Sequence, residues 1–162
     1  MQITFTSGNG KWQGIWDFYP NRADFSMTKI SPSYHYWVLF EGVPNGEINE
    51  TDYWFSSSQS QAQEIHIPFS GDLSPVNGED GPEWFAFGDT NVSRVIYVAQ
   101  HQNDDHLDEY YMRPYMTVFG FGRNSGNKYL NQARTFSIGF VESSQYAEVN
   151  TAITQIVVST QP

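Results

Sequence analysis

The chain has 162 residues, no cysteine, 17% aromatic residues and a formal net charge of −10. This length suits a single domain over residues 1–162, which would bury roughly 70% of the surface of its unfolded chain without covalent staples. The lack of cysteine excludes a disulfide framework and a thiolate zinc site. The acidic balance argues against nucleic acid as a partner, because phosphate binding needs a clustered basic face.

Alternation of apolar and polar residues dominates the chain and predicts β-strands. In chain order the predicted strands are 2–6, 14–20, 24–30, 34–43, 64–69, 83–89, 94–101, 116–123 and 135–142. A Ser/Gln-rich tract before residue 64 predicts an exposed loop, and 70–82 is the longest predicted loop.

The last segment changes period. Apolar residues recur there at helical spacing, namely Tyr146, Val149, Ile153, Ile156 and Val157. This spacing predicts an amphipathic helix. The whole pattern predicts an all-β fold, a β-sandwich or jelly roll of about ten antiparallel strands with one C-terminal helix packed on it.

Two predicted strands place particular residues on one face. Alternation in 94–101 puts His101 on the face of Tyr97 and Ala99. In 116–123 it leaves Gly120 and Gly122 together on a face without side chains. Such a face suits close approach by a ligand or by another backbone.

The ends of the chain and its apolar runs bear on location. No apolar run reaches the roughly 18 residues that a membrane span needs, so we expect no membrane partner. The first ten residues lack the basic start and apolar stretch of a signal peptide. Met1 suits a native start or a start codon added to a domain cut from a longer secreted protein, and we expect the second.

An acidic turn lies between two of the predicted strands. It holds Asp104, Asp105, Asp108 and Glu109 within six positions, together with His106. Carboxylates on a short loop are usual calcium ligands, which makes Ca²⁺ a candidate cofactor, although the spacing fits no EF-hand. The alternative is a solvated turn whose charges keep strand ends from pairing with neighbours.

The histidines offer two further kinds of chemistry. His101 and His106 would need a third zinc ligand, from His35 or His66, and neither has ligand-like spacing. A histidine beside carboxylates could serve as a general base. Alternatively, His101 is a strand-end imidazole that bonds its acidic neighbours.

Aromatic residues near turns are numerous for a domain this small. They are Trp12, Trp16, Trp37, Trp54, Trp84, Tyr110 and Tyr111. Indole and phenol faces pack on the apolar face of a sugar ring, although the same residues also build ordinary β cores. We expect Trp37 or Trp84, with Tyr110 or Tyr111, to form stacking platforms for a sugar.

Arg123 closes the strand 116–123 and would be costly to bury unpaired. It therefore pairs with Asp104, Asp105 or Glu83, or it faces solvent and a ligand. Its planar guanidinium suits a sugar carboxylate or sulfate.

Several blocks together resemble a little-characterised bacterial domain family. They include PEWFAFGD (82–89), RVIYVAQHQNDDHLDEYY (94–111) and MTVFGFGR (116–123). Members of that family occur in large secreted proteins, beside concanavalin-like or fibronectin-type modules associated with polysaccharides. The resemblance implies an accessory β-sandwich domain of a multidomain parent protein, working outside the cell or at its surface.

These observations lead to a non-catalytic carbohydrate-binding module that recognises a polysaccharide, neutral or acidic. His101, Asp105 and Arg123 would fix the hydroxyl or acid groups of the sugar, and the cofactor is either none or calcium. The alternative is a polysaccharide lyase in which Arg123 neutralises a uronate while His101 or Tyr110 removes a proton. A glycoside hydrolase that pairs Asp104 or Asp108 with Glu83 and a structural domain of a surface protein are further alternatives.

Overall fold

The computed structural model describes residues 1–42, 46–65, 69–72, 82–102, 108–113 and 116–160. Within these ranges the strands are β1 (Gln2–Thr6), β2 (Trp12–Phe18), β3 (Arg22–Ile30), β4 (Val38–Phe40), β5 (Asp52–Ser56), β6 (Gln59–Glu64), β7 (Phe69–Asp72), β8 (Glu83–Asp89), β9 (Val95–Gln100), β10 (Glu109–Arg113), β11 (Met116–Phe121), β12 (Arg123–Asn124), β13 (Asn127–Lys128) and β14 (Thr135–Val141). The helix is α1 (Tyr146–Thr160). The predicted all-β, sandwich-like fold with one C-terminal helix is confirmed.

The described strands form three antiparallel sheets. The large sheet has the order β1-β2-β3-β14-β9-β8-β5-β6, and the small sheet has the order β4-β11-β10-β7. The hairpin β12–β13 follows β11 directly and forms a third, two-stranded sheet. The helix α1 is too short to cross a membrane, and no other described helix could do so.

The large sheet is covered on both faces at its centre. On one face Phe85 and Phe136 pack against Phe119 and Phe121 of the small sheet. On the other face Trp84, Tyr97 and their neighbours pack against one stripe of α1, formed by Val149, Ile153 and Val157. Burial on both faces explains why β8 and β9 are almost continuously apolar in sequence.

Gly120 of β11 and Gly122, which follows the strand, allow close contact with other parts of the chain. A Cβ at Gly120 would collide with the backbone carbonyl of Val38 on β4, and one at Gly122 would collide with the Leu130 side chain. The expected close approach is therefore made by neighbouring protein, including the backbone of β4.

Three segments differ from the sequence prediction. The Ser/Gln-rich tract predicted as a loop forms part of the hairpin β5–β6. Backbone pairing with β5 holds the exposed edge strand β6, and the sequence did not predict this strand because it has little apolar pattern. The predicted strand 34–43 is reduced to β4 and an isolated bridge between Tyr36 and Leu130. The third is the start of the predicted loop 70–82, since residues 70–72 belong to β7. The centre of the predicted strand 64–69 and the rest of this loop up to residue 81 lie outside the described residues.

Candidate functional site

A turn at Gly122 sets the direction in which the chain leaves the small sheet. Gly122 has a φ of 79°, a backbone conformation that favours glycine. The fully buried Asp108 accepts the N–H of Gly122 through Oδ1, and the Gly122 carbonyl accepts the N–H of Tyr129 at 2.9 Å. These bonds fix the point at which Arg123 begins the next hairpin.

The β12–β13 hairpin places two cations side by side. Its two loop residues, Ser125 and Gly126, have φ values of 48° and 78°. Positive φ at both positions matches the right-handed twist of a two-residue hairpin. The register puts Arg123 directly opposite Lys128.

Both cations lie against aromatic rings. The Arg123 Cζ is 4.9 Å from the ring centre of Tyr111 and 6.0 Å from that of Trp37. The Lys128 Nζ is 4.5 Å from the ring centre of Trp37. At these distances the ring quadrupole attracts the cation. We call Trp37, Tyr111, Arg123 and Lys128 the cation–aromatic surface.

Glu109 supports the same surface from β10. Its Oε2 lies 3.5 Å from Nη1 of Arg123 and accepts the N–H of Ser125 at 2.8 Å. Arg123 also donates through Nη2 to the Tyr111 hydroxyl at 3.4 Å. The Arg123 side chain is 15% exposed, so its guanidinium is held in place rather than free in solvent. Of its predicted partners, Asp104 and Asp105 lie outside the described residues and Glu83 is buried.

Of the aromatic residues predicted as sugar platforms, Trp84 lies in the core and Tyr110 is partly buried and packs against it, which corrects the prediction. Trp84 is 1% exposed, and its Nε1 donates to Asn150 of α1 at 3.3 Å. The Tyr110 ring lies 5.0 Å from the ring of the buried Phe119. Because successive side chains of a strand point to opposite faces, Tyr111 points away from this core while Tyr110 points into it.

His101 belongs to a buried polar chain that it forms with Ser137 and Asp24. Ser137 donates from Oγ to Oδ1 of Asp24 at 2.6 Å, and His101 Nε2 lies 2.7 Å from the same Oγ. Since the single hydroxyl hydrogen of Ser137 goes to Asp24, His101 must donate through Nε2–H. Oδ1 of Asp24 also accepts the Nε–H of Arg22 at 3.1 Å.

This environment corrects the prediction that His101 fixes a sugar or acts as a base. His101 is 4% exposed. Burial lowers the pKa of His101 to about 4; the charge of Asp24 opposes this effect and that of Arg22 adds to it. The imidazole is therefore neutral at pH 7 and is a donor toward Ser137. The lyase alternative placed His101 or Tyr110 beside Arg123, and both side chains make their described contacts elsewhere.

The acidic turn is only partly described. Asp104, Asp105 and His106 lie outside the described residues, as does His66, whereas His35 is exposed. Asp108 is fully buried and accepts the N–H of Gly122, and Glu109 contacts Arg123 and Ser125, whereas the expectation of calcium at this turn stays a prediction. Within the described ranges no group of three His, Asp or Glu residues is placed to hold a metal ion.

Glu83, the predicted partner of a glycoside hydrolase pair, is also a buried residue. It is 1% exposed, and its Oε2 accepts the side-chain amide of Gln100 at 3.1 Å. With Asp108 buried as well, these two carboxylates are not presented to a polymeric sugar, which corrects that alternative.

Three residues of the cation–aromatic surface and of the buried polar chain around His101 were not predicted from the sequence. Lys128 could have been found, because Asn-Ser-Gly-Asn at 124–127 is a turn signal that pairs residue 123 with 128. Asp24 and Ser137 carry no local signal, since they are 113 residues apart and meet only through the pairing of β3 with β14.

Comparison with known proteins found no match: no family model, no curated protein and no solved structure matches the chain. The resemblance to a secreted bacterial domain family therefore stays an expectation.

Proposed function

We propose that the protein is a non-catalytic carbohydrate-binding module and that the cation–aromatic surface is its glycan site. One observation carries the proposal. Trp37, Tyr111 and Arg123 come from three separate segments of the chain, and the fold brings them into contact at one place. Aromatic rings beside fixed hydrogen-bond donors are what a sugar, with its apolar face and hydroxyl edge, requires.

The arrangement suits binding of modest strength. Trp37 and Tyr111 are both half-buried, so a sugar would contact ring edges and the donors of Arg123 while much of its surface stayed wet. We expect dissociation constants on the order of micromolar to millimolar, because a shallow site recovers little of the cost of association. Such a module would work outside the cell as part of a larger protein, and this location belongs to the proposal.

Affinity electrophoresis through gels that contain neutral, uronic or sulfated polysaccharides tests the proposal. We expect at least one polymer to retard the wild type, and Trp37→Ala and Tyr111→Ala to lose the retardation. Tyr19→Ala is the matched control. Tyr19 is also an aromatic residue that contacts an arginine, Arg22, and it is 46% exposed. Migration unaffected by every polymer would overturn the proposal.

The non-catalytic part of the proposal has its own readout. Eliminative cleavage of a polyuronate produces an unsaturated sugar that absorbs in the ultraviolet, and hydrolysis produces reducing ends. We expect neither signal when the protein is incubated with the polymers that retard it. Appearance of either product, abolished by Arg123→Gln, would make the surface an active site.

A partner-binding role is a second candidate, favoured by an exposed apolar strip on β1 and β2. Ile3 and Phe18 are 47% and 38% exposed, and Trp16 lies between them, paired with Ile3 and stacked on Phe18 at 5.9 Å. Apolar patches of this kind mark interaction surfaces. Wild-type protein that no polymer retards but that self-associates in sedimentation, with association lost in the double variant Ile3→Asp/Phe18→Ser, would favour this role over glycan binding.

A further inference from the structure

The pairing of Arg123 with Lys128 is unfavourable for the isolated protein. Like charges directly opposite each other on paired strands repel. The chain has only 8 lysine and arginine residues against 18 acidic residues, yet two of these cations face each other across a two-residue turn. An arrangement that costs stability in the free protein points to a ligand that offsets the cost.

The repulsion is only partly offset by the protein itself. Glu109 lies 3.5 Å from Arg123. Lys128 contacts the Trp37 ring and forms no ion pair with the described carboxylates. Among the described residues, two positive charges and one negative charge leave an excess of one positive charge at this surface. That excess is local, in a chain whose net charge is −10.

The two cations also differ in how firmly contacts hold their side chains, and this difference suits the binding of an anion. Arg123 is fixed by the Tyr111 ring, the Tyr111 hydroxyl and Glu109. Lys128 is exposed, and its ammonium can leave the Trp37 ring without breaking a hydrogen bond to any described residue. A fixed planar donor beside a movable point charge is a common way to hold a carboxylate or a sulfate.

We infer that the cation–aromatic surface selects an acidic glycan, whose anionic group lies between Arg123 and Lys128. The inference rests on the proposed function and names the ligand class and a specificity-determining residue, Lys128. The anionic group is a uronate carboxylate or a sulfate ester, which share charge and acceptor geometry. A neutral sugar could use the rings and the donors of Arg123, but it would bring no negative charge between the two cations.

The test compares each acidic polymer with its own neutral form. One pair is a polyuronate and the same polymer with its carboxyl groups reduced; the other is a sulfated galactan and its desulfated form. We expect wild-type protein to bind an acidic form roughly tenfold more tightly than its neutral partner, as for a charge-assisted contact. The pair that shows the preference identifies the anionic group as carboxylate or sulfate.

Variants of Lys128 assign the preference to this surface. We expect Lys128→Gln to lose most of the preference and Lys128→Arg to retain it, with unchanged thermal unfolding in both. Lys29→Gln is the matched control, because it removes the same charge from an exposed position on β3. Equal binding of acidic and neutral forms by the wild type, or equal loss in Lys128→Gln and Lys29→Gln, would overturn the inference and leave the proposed function standing. Failure to bind any of the four polymers, or any in the wider panel, would instead overturn the proposed function.

Discussion

Glu109 holds Arg123 at 3.5 Å and, with the same Oε2, holds the hairpin turn through the N–H of Ser125. One carboxylate thus sets both the position and the effective charge of the guanidinium. An acidic sugar that approaches Arg123 must share it with Glu109. The Glu109 carboxylate therefore repels the anionic group of such a ligand.

Replacing Glu109 by Gln should strengthen the binding of acidic glycans. The amide oxygen can still accept from Ser125, while the charge that competes for Arg123 is gone. We expect affinity for the acidic polymer to rise by roughly threefold or more, and the free energy of unfolding to change by less than about 1 kcal/mol, as for a partly exposed ion pair. Titration calorimetry and urea unfolding measure the two quantities.

The control for this variant is Glu142→Gln. Glu142 pairs with Arg94 at 2.7 Å on the large sheet, where both side chains are more than half exposed. This change removes the same charge, so any effect of net charge alone would appear in both variants. Weaker binding by Glu109→Gln would show instead that the carboxylate accepts sugar hydroxyls.

Tyr110 and Tyr111 are adjacent in sequence and should respond oppositely to truncation. Tyr110→Ala removes a ring packed on Trp54 and Phe119 and should lower the free energy of unfolding by about 2–4 kcal/mol. Tyr111→Ala should cost less than about 1.5 kcal/mol but abolish glycan retardation, since it removes the ring beside Arg123. Thermal unfolding and affinity gels on the same samples separate the two effects. A reversed pattern would mean that β10 presents the other face to the core.

Local patterns in the sequence predicted much of the fold. The predicted strands 2–6 and 83–89 coincide with β1 and β8, because β1 alternates polar and apolar residues, although it is largely exposed, and β8 carries the apolar residues that a buried strand demands. The polar strand β6 was missed, since at the edge of a sheet backbone pairing can suffice without an apolar side-chain pattern. The helix was found because one stripe of it is apolar at helical spacing.

The candidate site was predicted in part, for a related reason. Trp37, Tyr111 and Arg123 were among the expected ligand-binding residues, but residue type alone could not separate them from Trp84 and Tyr110. That separation depends on which face of a strand meets the core, and the face is decided by pairing with distant strands. His101 shows the same limit, because its partner Ser137 reaches it only through the pairing of β14 with β9.

Two glycines near the site provide a matched test of the turn that aims Arg123. Gly122 and Gly126 have nearly equal φ values, 79° and 78°. A Cβ at Gly126 meets nothing within 4 Å, whereas one at Gly122 meets the buried Leu130 side chain. Gly126→Ala should therefore cost about 1 kcal/mol from backbone strain alone.

Gly122→Ala should cost about 3 kcal/mol or more, because overpacking against Leu130 adds to the same strain. Chemical denaturation of both variants gives the two costs directly. We also expect Gly122→Ala to weaken glycan binding more than Gly126→Ala does, since Arg123 follows the displaced turn. Equal costs at the two positions would show that Leu130 can move aside.

The buried chain of Asp24, Ser137 and His101 should make stability depend on pH. The pKa of His101 is about 4 in the folded protein, against an ordinary value of 6.5. The unfolded chain therefore binds more protons than the folded chain between these values, so stability falls as the pH drops from 6.5 to 4. Over this window we expect a loss of about 3 kcal/mol from His101, with its full contribution present at neutral pH.

Urea unfolding between pH 4 and pH 8 measures this dependence, and two histidine variants identify its source. Asn is chosen because its amide can still donate to Ser137. His101→Asn should flatten the curve between pH 6.5 and the range where carboxylates titrate, and it should lower stability at neutral pH. His35→Asn should leave the curve unchanged, since His35 is exposed. The matched pair matters because carboxylates also titrate at the acid end, and only a difference between the two variants assigns the slope to His101. A curve that stays steep in His101→Asn would place the titrating group elsewhere.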